Sequence, residues 1–302
     1  MQVPAYVEYE KATSVAHALA LLDRFGPEAR ILAGGHSLIP MMKLRLAQPE
    51  TLIDINGLSE LSYITVTAGE LRIGALTRHA DLEHSELLRG TQPTMAAAAP
   101  LIADPIVRNR GTLVGSLCHA DPQGDWASVV LALGGSVIAQ GPAGRRSIPM
   151  SEFVTGPFEN MLETDEIAIE AVIPAPRGHR AGGYLKLERR VGDFATVGVA
   201  VAIETSGETV TRAGIALTGV GGSTIAATEA AAALTGQPLT PESIAAAADL
   251  AAQVARPRTD HRGSAEYKRH MVHTFVERIL TNPRHAAANG STAHTGTGER
   301  AA

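Results

Sequence analysis

The chain has 302 residues, enough for two domains with sizeable cores. Hydrophobic residues make up 45% and charged residues 19%, a globular balance that excludes a disordered polymer. The net charge of −5 is spread over mixed signs, with no basic stripe and no Lys/Arg cluster interleaved with aromatics, which argues against a nucleic-acid partner.

In chain order, Val15, Ala18, Leu19, Leu22 and Phe25 recur at helical spacing, with Thr13 or Ser14 available as a cap and Gly26-Pro27 as a stop. The start of the chain, Met1-Gln2-Val3-Pro4-Ala5-Tyr6, shows no basic segment followed by an apolar core, so no signal peptide is expected. Residues 29–33 read as a short buried strand that runs into Gly34-Gly35-His36-Ser37. A helical turn is expected over 40–46, strands over 51–55 and through Leu71, Ile73 and Ala75, and a helix capped by Thr77 and reaching Leu88. Residues 94–102 form an alanine-rich helix or turn, and the glycine-punctuated 109–116 follows. A short helix at 126–133, a strand at 136–140, a polar turn at 141–146 and an alternating strand through Ile167, Ile169, Ala171 and Ile173 complete a first unit. Pro174-Ala175-Pro176-Arg177-Gly178 reads as a linker. Beyond it, strands at 184–189, 197–204 and 214–218 precede helices near 225–235, 241–255 and 265–281. The class is α+β, in two units with a boundary near 176. Residues 287–302 have few apolar anchors and are expected to be disordered. No apolar run approaches the ~20 residues of a membrane-spanning helix, and a cytoplasmic protein is the default expectation.

Three glycine stretches invite a phosphate reading. At 34–37 adjacent glycines let the backbone approach a ligand closely, free N–H groups can hold an anion, and Ser37 adds a donor; a plain tight turn is the alternative. Gly111 to Ser116 has the same character, with a strand or bulge as its alternative. Gly219-Val220-Gly221-Gly222-Ser223-Thr224 is a near-match to the dinucleotide fingerprint, but it has Thr in place of the third glycine and no βαβ run around it, which favours a structural turn. His119, Asp121 and Asp125 make a polar cluster that suits ligand hydroxyls or helix capping better than a metal. The single cysteine, Cys118, excludes internal disulfides and a self-contained iron–sulfur cluster, and reads as a small buried residue. Lys186, Arg189, Arg190 and Asp193 lead to Phe194, either a charged strand beside a flat ring ligand or a solvated strand face.

Taken together, Ala33-Gly34-Gly35-His36-Ser37-Leu38-Ile39-Pro40, Lys43-Leu44-Arg45, Leu52-Ile53-Asp54-Ile55-Asn56, Ile73-Gly74-Ala75-Leu76-Thr77, Asp104-Pro105-Ile106-Val107-Arg108-Asn109-Arg110-Gly111-Thr112, His119-Ala120-Asp121-Pro122, Lys186-Leu187-Glu188-Arg189-Arg190-Val191-Gly192-Asp193-Phe194-Ala195 and Arg262-Gly263-Ser264-Ala265-Glu266-Tyr267-Lys268-Arg269-His270 resemble the flavoprotein (medium) subunits of aerobic carbon monoxide dehydrogenase and, more widely, the xanthine dehydrogenase family of molybdenum hydroxylases. The resemblance spans roughly residues 1–285. It implies an FAD-binding domain of the PCMH/vanillyl-alcohol-oxidase type over 1–176, in subdomains of about 1–57 and 58–176, and a smaller α+β domain over 177–286. It further implies that Ala33, Gly34, Gly35, His36, Ser37 and Leu38 hold the FAD pyrophosphate with Thr112, Val114, Gly115 and Ser116. Asp121 and Asp125 would reach ribityl or ribose hydroxyls, Phe194 would lie against the isoalloxazine with Lys186 nearby, and Thr77 would sit close to the cofactor. Val114 departs from the family pattern, which has glycine there; a positive φ would disfavour a β-branched residue, whereas ordinary β angles would change only its side-chain direction.

The function so implied is electron transfer from iron–sulfur clusters of a partner to FAD and on to an external acceptor, with no catalytic acid, base, nucleophile or metal ligand in this chain. The implied partners are a large molybdenum-cofactor subunit and a small 2Fe-2S subunit, as a dimer of heterotrimers in the cytoplasm, brought to the inner membrane face through partners. Two alternatives stand beside it: a standalone FAD-dependent oxidoreductase, and an assembly subunit that has lost FAD.

Overall fold

The computed structural model describes residues 3–286, so the expectation of disorder at 287–302 lies outside the described residues. The chain opens with a three-stranded parallel sheet, in which Thr51–Asp54 lies between Glu8–Lys11 and Ala29–Leu32. Parallel neighbours need crossovers, and the helices Val15–Phe25 and Leu38–Lys43 supply them. The Ser14 hydroxyl accepts from His17 N at 3.0 Å to start the first helix, and Gly26, at φ +67°, ends it. The second sheet is antiparallel, in the order Ile64–Thr67, Glu70–Gly74, Ile167–Ile173, Ser136–Gly141, Gly144–Pro149. Its central strand, Ile167–Ile173, is buried at every position. Between the strands Glu70–Gly74 and Ser136–Gly141 the chain makes a run of short helices, among them His79–His84, Glu86–Thr91, Pro93–Ala98, Leu113–His119 and Asp125–Ala132.

Residues 174–178 carry no regular structure, and a second antiparallel sheet of five strands follows, ordered Ile225–Ala226, Thr209–Thr218, Val197–Ser206, His179–Leu187, Arg284–His285. Period-two patterning in Val197–Ser206 divides its two faces. Val197, Val199, Val201 and Ile203 join the core formed with the helices Pro241–Val254 and Ala265–Thr281. Ala200 and Ala202, with Tyr184 and Ala216, join the core of the preceding sheets and helices. Small residues on that face let a helix sit directly on the sheet: a Cβ on Gly214 would overlap the Ala132 carbonyl oxygen. Thr94 Oγ1 also donates 2.8 Å to the Val201 carbonyl across the same junction.

The α+β class matches the sequence reading, but several local expectations are corrected. Thr77 does not cap a helix; its hydroxyl donates to Tyr63 O at 2.8 Å and accepts from Tyr63 N at 3.2 Å. The helix expected to run to Leu88 is two helices, broken where Ser85 ends one and caps the next. The turn expected at 40–46 is the helix Leu38–Lys43, and the polar turn at 141–146 is the tip and start of the strand Gly144–Pro149. The stretch 112–116 is the beginning of a helix, capped by Thr112.

Candidate functional site

The strand Ala29–Leu32 delivers the first glycine loop to the edge of a cleft of about 620 Å³, within the roughly 300–1,000 Å³ usual for small-molecule sites. Gly35, at φ +76°, turns the chain, and Ile39 N and Met41 N then bond back to Gly35 O and Ser37 O at 3.0 and 3.2 Å. Among the described residues, no protein acceptor takes the N–H groups of Gly34, Gly35, His36, Ser37 or Leu38. The opposite wall includes Thr112, Val114, Gly115 and Ser116. There Thr112 Oγ1 accepts from Gly115 N at 3.1 Å, and among the described residues the N–H groups of Thr112 and Val114 have no protein acceptor. The two stretches touch: a Cβ on Gly34 would overlap the Arg110 carbonyl oxygen and lie 2.8 Å from Gly111 Cα. Two runs of unsatisfied backbone donors on one cleft match a pyrophosphate in charge and in hydrogen-bonding capacity.

Val114 adopts neither conformation weighed for it. It lies in the helix Leu113–His119 with no positive φ, and its side chain is buried at 2% exposure. A β-branched residue in a first helical turn carries no left-handed strain.

Behind the second stretch stands a pair that the sequence did not reveal. Trp126 Nε1 donates 3.0 Å to His79 Nδ1, and the two rings stack at 6.1 Å between centroids. His79 lines the cleft, and burial, helped by Arg108, Arg78 and His36, lowers its pKa to about 4. The imidazole is therefore neutral at pH 7, with its proton on Nε2, because Nδ1 accepts. Gly111 makes room for it, since a Cβ there would lie 2.8 Å from Nε2. The folded-state pKa lies below the unfolded value of 6.5, so the unfolded chain takes up the proton first as pH falls. The His79 contribution is thus complete above pH 6.5 and is lost as pH drops towards 4. Urea titrations at pH 7 and 4.5 are expected to show wild type losing about 2–3 kcal/mol more than His79→Gln; equal losses would place the acid sensitivity elsewhere.

Asp125 reaches the cleft from the start of the helix Asp125–Ala132, whose cap position belongs to Gly124. Its Oδ1 accepts from Tyr184 OH at 2.5 Å and its Oδ2 from Lys186 Nζ at 3.1 Å, both from the strand His179–Leu187. Burial raises the pKa of the Asp125 carboxyl, against the opposing pull of Lys186 and Tyr184. Phe194 lines the cleft half-exposed, at 50%. It is held from behind by Arg262, whose guanidinium donates 3.1 Å to Phe194 O and lies 3.5 Å from Asp193 Oδ1.

Residues 33–38 line the cleft together with Thr112, Val114, Gly115, Ser116, Asp125 and Phe194. Thr77, Asp121 and Lys186 lie off its wall. Thr77 is spent on Tyr63 and Asp121 accepts from Gln123 N at 2.8 Å. Lys186 Nζ is engaged by Asp125, by Leu101 O at 2.9 Å and by Glu188 at 3.3 Å. Cys118 lines the cleft, but burial pushes its thiol up to about 12, which leaves it protonated and unreactive. The third glycine stretch is a turn after an antiparallel strand: Gly219, at φ +77°, donates 2.9 Å to Pro122 O.

Residues 5–176 match the family model "FAD binding domain in molybdopterin dehydrogenase", and residues 183–282 match "CO dehydrogenase flavoprotein C-terminal domain". The carbon monoxide dehydrogenase medium chain of Hydrogenophaga pseudoflava is 42% identical over 92% of this chain and 97% of that protein. The nicotine 6-hydroxylase medium subunit of Paenarthrobacter nicotinovorans is 36% identical, over 93% and 98%. A solved carbon monoxide dehydrogenase structure from H. pseudoflava superposes with a TM-score of 0.88 at 44% identity, covering 94% of this chain and 98% of that one. Quinoline 2-oxidoreductase from Pseudomonas putida superposes at 0.85 with 31% identity, covering 94% and 98%. With both parts of the chain matched by family models and a relative 42% identical over nearly its whole length, this protein belongs to the family of FAD-binding medium subunits of the molybdenum hydroxylases.

Proposed function

We propose that this chain is the electron-transfer flavoprotein of a molybdenum hydroxylase complex, and that it holds the FAD pyrophosphate between residues 33–38 and 112–116. The observation that carries this reading is the convergence of two runs of free backbone N–H groups on one cleft. Bound FAD supplies the redox chemistry, taking electrons from a partner's iron–sulfur clusters and giving them to an external acceptor. Asp125 would accept from ribityl or ribose hydroxyls, with Asp121 behind it. Phe194 would offer a flat apolar face to the isoalloxazine, with Lys186 and Thr77 supporting the walls.

The domain division proposed is 1–176, with subdomains near 1–57 and 58–176, followed by 177–286; it is supported by the unstructured residues 174–178 and by the separate second core. The partners would be a large molybdenum-cofactor subunit and a small 2Fe-2S subunit, as a dimer of heterotrimers in the cytoplasm. No helix among the described residues is long and apolar enough to cross a membrane.

A standalone oxidoreductase would need a free catalytic base in the cleft. The wall carboxylates Asp125, Glu166 and Asp193 are instead paired with Lys186, Arg146 and Arg262. Purification of the chain, alone and in its native complex, tests the reading. A flavin visible spectrum without turnover of small substrates by the isolated chain is expected. Turnover by the isolated chain would make it a standalone enzyme, and a colourless protein that takes up no FAD in either form would make it an assembly subunit.

A further inference from the structure

The two glycine stretches come from separate parts of the chain, and only the cofactor and the intervening protein can set the gap between them. The contact at Gly34 sets how closely they approach, but a contact between small residues does not by itself fix their relative slide. Two polar side chains outside the cleft lining, Asn56 and Arg78, bridge them. Asn56 lies just past the central strand Thr51–Asp54, and its Nδ2 donates 2.7 Å to Ala33 O, at the root of the first stretch. Its orientation is fixed from the other side, because Asp54 Oδ1 accepts from both Asn56 N (2.8 Å) and Asn56 Nδ2 (2.6 Å). Tyr9 OH in turn donates 2.5 Å to Asp54 Oδ2.

The free end of the amide, Oδ1, accepts 2.8 Å from Arg78 Nη2. The other terminal nitrogen of the same guanidinium donates 2.5 Å to Arg110 O, the carbonyl that abuts Gly34. The backbone of Arg78 belongs to the same junction: it bridges to Thr112, and the next residue, His79, donates its N–H to Gly111 O at 3.0 Å. A planar guanidinium with two donors in a fixed fork suits such a bridge, because it cannot satisfy both acceptors unless they keep one spacing.

We propose that Asn56 and Arg78 form a brace that sets the register between the two halves of the pyrophosphate clamp, acting as positioning residues for FAD without touching it. The proposal rests on the clamp reading of the two stretches. It distinguishes Arg78 from the nearby Arg110, whose side chain is exposed and whose part in the brace is its carbonyl.

The test uses the full chain stripped of FAD and titrated with FAD, in wild type, Asn56→Ala, Arg78→Ala, the double variant and Arg78→Lys. Each single alanine variant is expected to weaken FAD binding by about 10- to 100-fold, the size that lost supporting hydrogen bonds produce at other ligand sites. The double variant is expected to bind no more weakly than the worse single one, because either change cuts the same bridge. Arg78→Lys is expected to recover only part of the loss, since one ammonium lacks the fork geometry. At saturating FAD, the two 31P resonances of the bound cofactor are expected to move in both single variants, with the visible flavin spectrum unchanged. Wild-type affinity in both single variants would overturn the brace while leaving the clamp intact. Losses that simply add in the double variant, with unmoved 31P resonances and a matching drop in the unfolding midpoint of the FAD-free chain, would also overturn it, by reducing the two residues to general stability. Failure of wild type itself to bind FAD would instead overturn the clamp reading on which the brace rests.

Discussion

Gly34→Ala is expected to weaken FAD binding by about 100-fold or more, because the added methyl wedges apart the two stretches that would hold the pyrophosphate. The atoms it would meet are all backbone: Arg110 O, Gly111 Cα at 2.8 Å and Arg110 C at 3.0 Å. None of them can rotate aside, so relief requires the loops to separate. Overpacking of this kind costs about 1–3 kcal/mol in stability as well. Gly35 is the informative contrast, because its φ of +76° asks for glycine on conformational grounds. A methyl there would meet only the ends of Ile39 and Leu32, at 3.2 and 3.3 Å, which can shift. Gly35→Ala therefore carries the left-handed penalty of about 1–2 kcal/mol and a smaller change in the clamp. FAD titration and urea unfolding of both variants separate the two costs. If Gly35→Ala loses more affinity than Gly34→Ala, the spacing between the loops is not what governs binding.

The sequence disclosed those glycines but not why each is there. Gly34 and Gly35 look alike in a string of letters, yet one is required by the space beside it and the other by its backbone angle. What the sequence did disclose well were long elements with a single periodicity, such as the helix Val15–Phe25 and the buried strand Ile167–Ile173. The strand Gly144–Pro149 escaped because nearly all of its residues are exposed, so no alternation marks it. The helix Leu113–His119 escaped because Gly115 and Ser116 are weak helix formers and its start depends on the Thr112 cap. The role of Ala200, Ala202 and Gly214 could not be read before the neighbouring helix was in place, since small residues in a strand signal weakness unless something packs closely on them.

The site divided along the same line. Residues 33–38 and 112–116 were legible because glycine beside hydroxyl residues is itself a chemical signal. The pairs Trp126–His79 and Arg78–Asn56 join residues 47 and 22 positions apart, and no local pattern announces such partners. Lys186 was legible as a charge near a ring face, but its partners Asp125 and Leu101 lie 61 and 85 positions away. Those partners turn it from a cleft-wall residue into a buried cross-link.

That cross-link supports the second large expectation: Asp125→Ala will destabilise the chain by about 3–5 kcal/mol, the cost of breaking a buried ion pair from one side. The Lys186 side chain is 1% exposed, and removal of Asp125 leaves it with Leu101 O and Glu188, at 2.9 and 3.3 Å. Glu188 Oε2 is the oxygen of that second ion pair, but it makes no hydrogen bond, so it offsets the loss of Asp125 only in part. The bond from Tyr184 OH is lost in the same step, and with it a second tie between the helix Asp125–Ala132 and the following sheet. Lys186→Met alone should cost less, because the Asp125 carboxyl keeps the Tyr184 hydroxyl and can take up a proton, a change that burial already favours. The double variant Asp125→Asn with Lys186→Met removes both charges and keeps an acceptor for Tyr184. It is expected to recover most of the stability lost in Asp125→Ala, since a buried pair replaced by neutral groups is often close to neutral in energy. FAD affinity is not expected to recover with it, because an amide accepts a hydroxyl's hydrogen bond less strongly than a carboxylate does. Urea unfolding and FAD titration of the three variants therefore read two separate roles of one carboxylate. A double variant that regains both stability and affinity would show that Asp125 serves the cofactor only by keeping the junction closed.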